Sequence, residues 1–281
     1  MQPDDFAEII YTVRDNVATV TLNRPQRRNA WTGRMAVEYR WALYRAENDP
    51  DVGAIVVTGS GDTFCAGADM QILDEVDENG GAYQRVAADL PPFPDDAPSS
   101  LRHNHTYPLA LGKPTVAALN GPCAGAGFVL ACFTDFRISV DDNKITASFA
   151  GLGLPAEYGL AWTLTRIVGQ QNALEILLAN PVMSGDRARD LGFVRTSVGA
   201  ADLDDHVHEF ARGMAQHSSP AALKVIKRQV YLDAWGDLET AYERAVTDMN
   251  RMVGEPDFSV GLRAARRRER ARYLPRDDEV D

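Results

Sequence analysis

The chain has 281 residues, a formal net charge of −11, and hydrophobic and charged fractions of 45% and 25%. That length and composition suit one large globular domain, or a domain plus an appendage, with a core that needs no disulfide staple. The acidic balance disfavours nucleic-acid binding, which requires a basic footprint, and no apolar run approaches the ~20 residues that span a bilayer.

The start, MQPDDFAEII, is acidic and lacks a long apolar run, so neither a signal nor a transit peptide is expected. Ile9–Arg14 and Val17–Leu22 are β-rich, and Asp15-Asn16 between them predicts a hairpin turn. Thr32 is placed to cap a helix that runs to about Asn48, where Asp49-Pro50 stops it. Buried strands are expected over 52–58, Thr115–Leu119 and Phe136–Val140, alternating with helices in the manner of an α/β architecture. Residues 76–112 stand apart. They hold Gly80-Gly81 and four prolines between 91 and 98, and read as a helix over 82–89 followed by an irregular loop. From Leu203 onward the pattern is helical, with helices expected over 203–215, 220–233, 238–252 and 255–272. The domain reading is therefore a core over 1–202 and a helical region over 203–281. The last helix concentrates Arg263, Arg266, Arg267, Arg268, Arg270, Arg272 and Arg276, which suits a subunit contact or a solvated face. No internal repeat or low-complexity segment is present.

Cys65, Cys123 and Cys132 form no CxxC pair, and the five histidines make no zinc motif, so no metal site is expected and a reducing cytoplasm fits. Cys65 and Cys123 read as small packing residues, and His103 and His105 as surface residues or part of a lid.

Two loops have unusual composition. Gly61-Asp-Thr-Phe-Cys-Ala-Gly-Ala-Asp-Met70 follows the strand over 52–58, and Asn120-Gly-Pro-Cys-Ala-Gly-Ala-Gly-Phe128 follows Thr115–Leu119. Small residues at a strand-to-helix junction let a ligand approach the backbone, and free N–H groups there attract developing negative charge. Such turns also serve tight packing alone, so both readings stand on the residues themselves. Neither loop carries a P-loop or a dinucleotide fingerprint.

Taken together, LNRP at 22–25 with Asn29-Ala30, FCAGADM at 64–70, KPTVAALNGPCAGAG at 113–127, Asp135 and SGDRARDLGFV at 184–194 resemble the crotonase (enoyl-CoA hydratase/isomerase) family in order and spacing. The resemblance covers about residues 6–255. It implies a spiral of ββα turns followed by a helical trimerisation region, usually assembled as a homotrimer or a dimer of trimers. It implies an acyl-CoA or enoyl-CoA substrate whose coenzyme A is part of the substrate, with no separately bound cofactor. It implies an oxyanion hole made by the N–H groups of Ala68 and Ala126, with coenzyme A along Arg28, Ala30, Ala66, Asp69, Met70 and Gln71. Gln71 stands where many relatives carry lysine, and Ala126 where the family has glycine. An alanine there keeps its N–H at no strain if its φ is negative, and with about 1–2 kcal/mol of strain otherwise. Asp69 is expected to cap its own helix and Asp135 to be structural.

Hydratases of the family hold water between two glutamates, and the corresponding positions here are Val129 and Phe149. Neither side chain can orient water or carry a proton. Glu157, in Leu154-Pro-Ala-Glu-Tyr-Gly159, occupies the segment where isomerases of the family place a single carboxylate. The resemblance thus implies an enoyl-CoA isomerase-type double-bond shift with Glu157 as base, desolvated by Val129, Phe149 and Trp162. The alternatives are a hydratase or thioester hydrolase acting through Glu157 or a histidine, a non-catalytic acyl-CoA binder, and, for Glu157, a mere helix cap.

Overall fold

The computed structural model describes residues 1–80, 89–234 and 236–274. Its elements run in the order β1 (Ile9–Arg14), β2 (Val17–Leu22), α1 (Gly33–Asn48), β3 (Ala54–Gly59), α2 (Met70–Glu78), α3 (Tyr107–Ala110), β4 (Thr115–Leu119), β5 (Cys123–Ala124), α4 (Ala126–Cys132), β6 (Phe136–Val140), β7 (Ile145–Thr146), α5 (Leu160–Leu174), α6 (Gly185–Asp190), β8 (Thr196–Val198), α7 (Leu203–His217), α8 (Pro220–Asp233), α9 (Leu238–Met252) and α10 (Pro256–Arg267).

The opening hairpin forms in the expected register, Arg14 opposite Val17, and its turn residues Asp15 and Asn16 both hold positive φ, 50° and 64°. Two positive φ values in a two-residue loop twist the hairpin to match its strands, and Asp and Asn tolerate that conformation better than most residues. Thr32 caps α1 through its hydroxyl, which accepts from the Met35 N–H at 3.0 Å.

Six strands make one sheet in the order β1-β2-β3-β4-β6-β8, antiparallel at the first pair and parallel thereafter. The central strands β3 and β4 are buried on both faces, which is why they read as near-continuous apolar runs. Ile55, Val57, Ala117 and Leu119 face the main core. Their neighbours Ala54, Val56, Val116 and Ala118 pack with Leu203, Val207, Ala211 and Ala215 of α7. Because β2, β3 and β4 run parallel, the loops that leave them depart from the same end of the sheet, at the C-terminal ends of the strands. β5 and β7 form a second small ladder, Cys123 opposite Ile145, which brings the second loop beside the segment that leads to Glu157.

The C-terminal helices follow the expected pattern, except that α10 ends at Arg267, where Arg268 turns left-handed with φ 60°. Arg263, Arg266, Arg267, Arg268 and Arg270 are exposed, while Arg276 lies outside the described residues. So does 81–88, which carries most of the helix expected over 82–89; Asp89 itself is not helical. The rest of the loop over 76–112 is less irregular than its composition suggests, because it contains the end of α2, a 3-10 turn at Ser99–Leu101 and α3. Among the described residues no helix is long and apolar enough to cross a membrane.

Candidate active site

The two small-residue loops lie against each other. Cys65 and Cys123 form a parallel bridge, with the Cys65 N–H donating to the Pro122 carbonyl at 3.1 Å and the Ala124 N–H to the Cys65 carbonyl at 3.0 Å. Trp31 forms a second parallel bridge with Ala68. The Trp31 N–H donates to the Gly67 carbonyl at 2.7 Å, and the Asp69 N–H donates to the Trp31 carbonyl at 3.0 Å. In a parallel bridge the flanking residues take the hydrogen bonds, so the N–H of the central residue, Ala68, points away from Trp31. Ala126 is the first residue of α4, where an N–H has no acceptor within the helix. Neither amide has a hydrogen-bond acceptor among the described residues. Both residues line one cavity of about 400 Å³, together with Ala66, Met70 and Glu157.

Backbone conformation makes this approach possible. Gly125 holds φ 50°, which places it against the Cα of Gly67, and the next residue, Ala126, is already in right-handed helix. Alanine in the hole therefore incurs no left-handed strain. Two asparagine side chains, Asn29 buried and Asn120 half-buried, brace the loops from behind. Asn29 accepts from the Arg24 N–H and donates to the carbonyls of Ser60 and Thr63, at 2.7–2.9 Å. Asn120 accepts from the Gly59 N–H and donates to the Gly59 and Gly61 carbonyls.

Glu157 lies in the turn before α5. Its carbonyl accepts the Leu160 N–H at 2.8 Å, and the N-cap of α5 is Gly159. Its carboxylate makes no ion pair or hydrogen bond among the described residues, so capping is not its role. Burial alone raises its pKa above the ordinary glutamate value. Val129 and Phe149, both buried, share the cavity with it. Trp162 does not: it lines a neighbouring cavity with His103, and its ring lies under the Arg166 guanidinium at 3.6 Å. The sequence expectation that Trp162 borders Glu157 is corrected by its place on the first turn of α5, which turns it to the other side of Tyr158.

Of the six residues expected to meet coenzyme A, Ala66 and Met70 line this cavity, whereas Arg28, Ala30, Asp69 and Gln71 do not. Arg28 and Ala30 lie beside the first loop, since the Arg28 carbonyl accepts the Ala66 N–H at 3.1 Å. Asp69 is a cap and a brace: its carboxylate accepts from the Gln71 N–H at 3.1 Å and from Arg24 at 2.8 Å. The Arg24 hydrogen bond holds its pKa below the usual carboxylate value. Asp135 likewise accepts from the Thr115 N–H and hydroxyl and from the Tyr231 hydroxyl, a structural set. Cys65 and Cys123 are fully buried, and desolvation pushes the Cys65 thiol up to about 12, so both are packing residues rather than nucleophiles. Sequence reasoning missed the pairing of His105 with Tyr158 beside Glu157. Their rings stack at 3.5 Å with an interplanar angle of 18°.

Residues 12–269 match the enoyl-CoA hydratase/isomerase family model. The chain belongs to the enoyl-CoA hydratase/isomerase family. It is 32% identical to the 4-chlorobenzoyl coenzyme A dehalogenase-1 of an Arthrobacter species, over 91% of this chain and 89% of that one. It is also 32% identical to the 1,2-epoxyphenylacetyl-CoA isomerase of Escherichia coli, over 84% and 88% of the two chains. Among solved structures, an enoyl-CoA hydratase/isomerase from Mycobacterium paratuberculosis superposes with a TM-score of 0.78 at 28% identity, covering 95% of this chain and 98% of that one. The family thus spans several reactions at similar distance from this chain, and the side chains in the cavity must distinguish among them.

Proposed function

We propose that this family member shifts the double bond of an enoyl-CoA thioester, with Glu157 as the single acid–base group. The observation that carries this reading is one unpaired, desolvated carboxylate in the same cavity as two unengaged amides, with apolar side chains at both positions where hydration would need a second carboxylate. Glu157 removes a proton from C2 of a 3-enoyl-CoA. The electron pair spreads into a dienolate whose charge rests on the thioester oxygen between the N–H groups of Ala68 and Ala126. The protonated Glu157 then returns the proton at C4, leaving the 2-enoyl-CoA. Preorganised amides suit that oxygen, and losing one typically costs about 10²–10³ in rate. Neither the Val129 nor the Phe149 side chain can hold a water, so the two-carboxylate arrangement of hydration is missing, which supports isomerisation over hydration.

A second reading keeps this machinery and changes the acyl group to a ring-bearing one. It is favoured by the Trp31, Phe149 and Tyr158 rings in the cavity wall and by the ring-bearing substrates in the names of the two relatives above. Self-association of a cytoplasmic enzyme through its last helices is part of the proposal. Its support is the exposed apolar row Ile226, Val230, Leu238, Tyr242, Met249 and Phe258 on α8–α10.

The test is to incubate the protein separately with 3-hexenoyl-CoA and crotonyl-CoA. Conversion of the first, lost in Glu157→Gln, is expected. Turnover of crotonyl-CoA alone, retained in that variant, would reject the assignment.

A further inference from the structure

Behind the wall of the candidate active site lies a second cavity, also about 400 Å³. Both cavities include His105 and Tyr158 in their linings, so the stacked pair is the partition between them. Leu101, Leu109, Phe133 and Trp162 supply the apolar surface of the far chamber. Two of its polar groups are occupied by the protein itself, the Thr106 hydroxyl donating to the Leu101 carbonyl at 2.8 Å and the Thr163 hydroxyl to the Gly159 carbonyl at 3.4 Å, while Ser100 and His103 stand at its exposed rim. Away from that rim, a guest meets mainly the hydrocarbon of Leu101, Leu109, Phe133 and Trp162.

The backbone fixes where the partition sits. Tyr158 holds φ 54°, a left-handed conformation costly for a residue with a side chain, between Glu157 and Gly159. His105 lies in the loop before α3, and neither residue belongs to a helix or strand. Burial pushes the His105 pKa down to about 4, which keeps the ring neutral near pH 7 and the passage free of charge.

Resting on the thioester reading above, we propose that the far chamber binds the distal hydrocarbon of a long acyl chain. The His105–Tyr158 pair decides whether a chain passes from the first cavity into it. A hydrocarbon chain suits a chamber that adjoins the acyl cavity, is lined largely by apolar side chains, and is reached past the residue next to the candidate base.

The experiment measures, by calorimetry, the affinity of the intact protein for saturated butyryl-, octanoyl- and dodecanoyl-CoA, none of which can isomerise. Each methylene that enters an apolar site tightens binding about three- to fourfold. Wild type is expected to gain affinity from butyryl- to dodecanoyl-CoA. Leu109→Trp, which fills the far chamber, is expected to weaken dodecanoyl-CoA at least tenfold and leave butyryl-CoA unchanged. Thr106→Phe, nearer the surface, repeats the test without touching a core leucine, and His105→Ala is expected to favour the long chain further. Butyryl-CoA binding with the same length dependence in all four proteins overturns this inference alone. Failure of wild type to bind even butyryl-CoA overturns the thioester reading and this one with it.

Discussion

Gly127 sits so close to Cys65 that a Cβ built on it would lie 2.3 Å from the Cys65 carbonyl oxygen. That oxygen is the acceptor of the Ala124 N–H, so the contact lies inside the bridge that joins the two amide-bearing loops. Gly127→Ala must push the loops apart. It is expected to destabilise by at least the ~1–3 kcal/mol of an over-packed site and to abolish turnover. Ala126→Gly, one residue away, keeps its N–H and is expected to retain activity within a few-fold. Thermal unfolding and turnover of 3-hexenoyl-CoA on both variants check the pair; an active, stable Gly127→Ala would show that loop spacing does not matter.

Glu157→Gln preserves shape while removing the base. Turnover is expected to fall by about 10²–10⁴, with butyryl-CoA affinity unchanged because the amides and cavity remain. The stability change has a definite sign. The folded-state pKa of Glu157 is raised by burial, so the ionised carboxylate disfavours folding once pH rises above its unfolded value. At neutral pH the glutamine variant is therefore expected to be as stable as wild type or more so, read by denaturant midpoint. A less stable variant would mean that the carboxylate has a structural partner after all.

The same burial sets the pH dependence of turnover. A base must be ionised, so kcat/KM is expected to rise with pH through a single pKa above the ordinary glutamate value, and then stay level. A profile that bends within the usual carboxylate range would place the base in water, outside the cavity.

Much of this was legible before any coordinates, wherever the determinant was local. Asp15-Asn16 signalled the hairpin because two left-handed residues favour those types, and Thr32 signalled α1 because capping uses neighbours three residues apart. The two loops announced themselves by composition. What the chain order hid was long-range. Trp162 is five residues from Glu157 yet turns to a different cavity, and His105 meets Tyr158 across 53 positions. The short ladder β5–β7 and strand β8 carry too few residues to show a period of two. Whether Glu157 capped its helix was undecidable from spacing, because either the side chain or the backbone carbonyl can reach the first turn, and here the carbonyl does.

The helical appendage is fastened to the core through charge. The Lys227 ammonium of α8 lies 2.7 Å from the Asp135 carboxylate and donates to the carbonyls of Pro108 and Lys113, at 2.8 and 2.9 Å. Both side chains are about nine-tenths buried, so neither partner can fall back on water. Lys227→Met would leave Asp135 with the Thr115 and Tyr231 donors but no cation, and two carbonyls unmatched. The expected cost is about 3–5 kcal/mol, or a fall in Tm of roughly 2–4 °C for each kcal/mol. Asp135→Asn combined with Lys227→Met is expected to lose less than the sum of the single changes, because removing both charges removes the uncompensated one. Additive losses in that double-mutant cycle would mean that the pair is not coupled and that α8 is held by its other contacts, among them the ion pairs of Lys224 and Arg228 with Asp96.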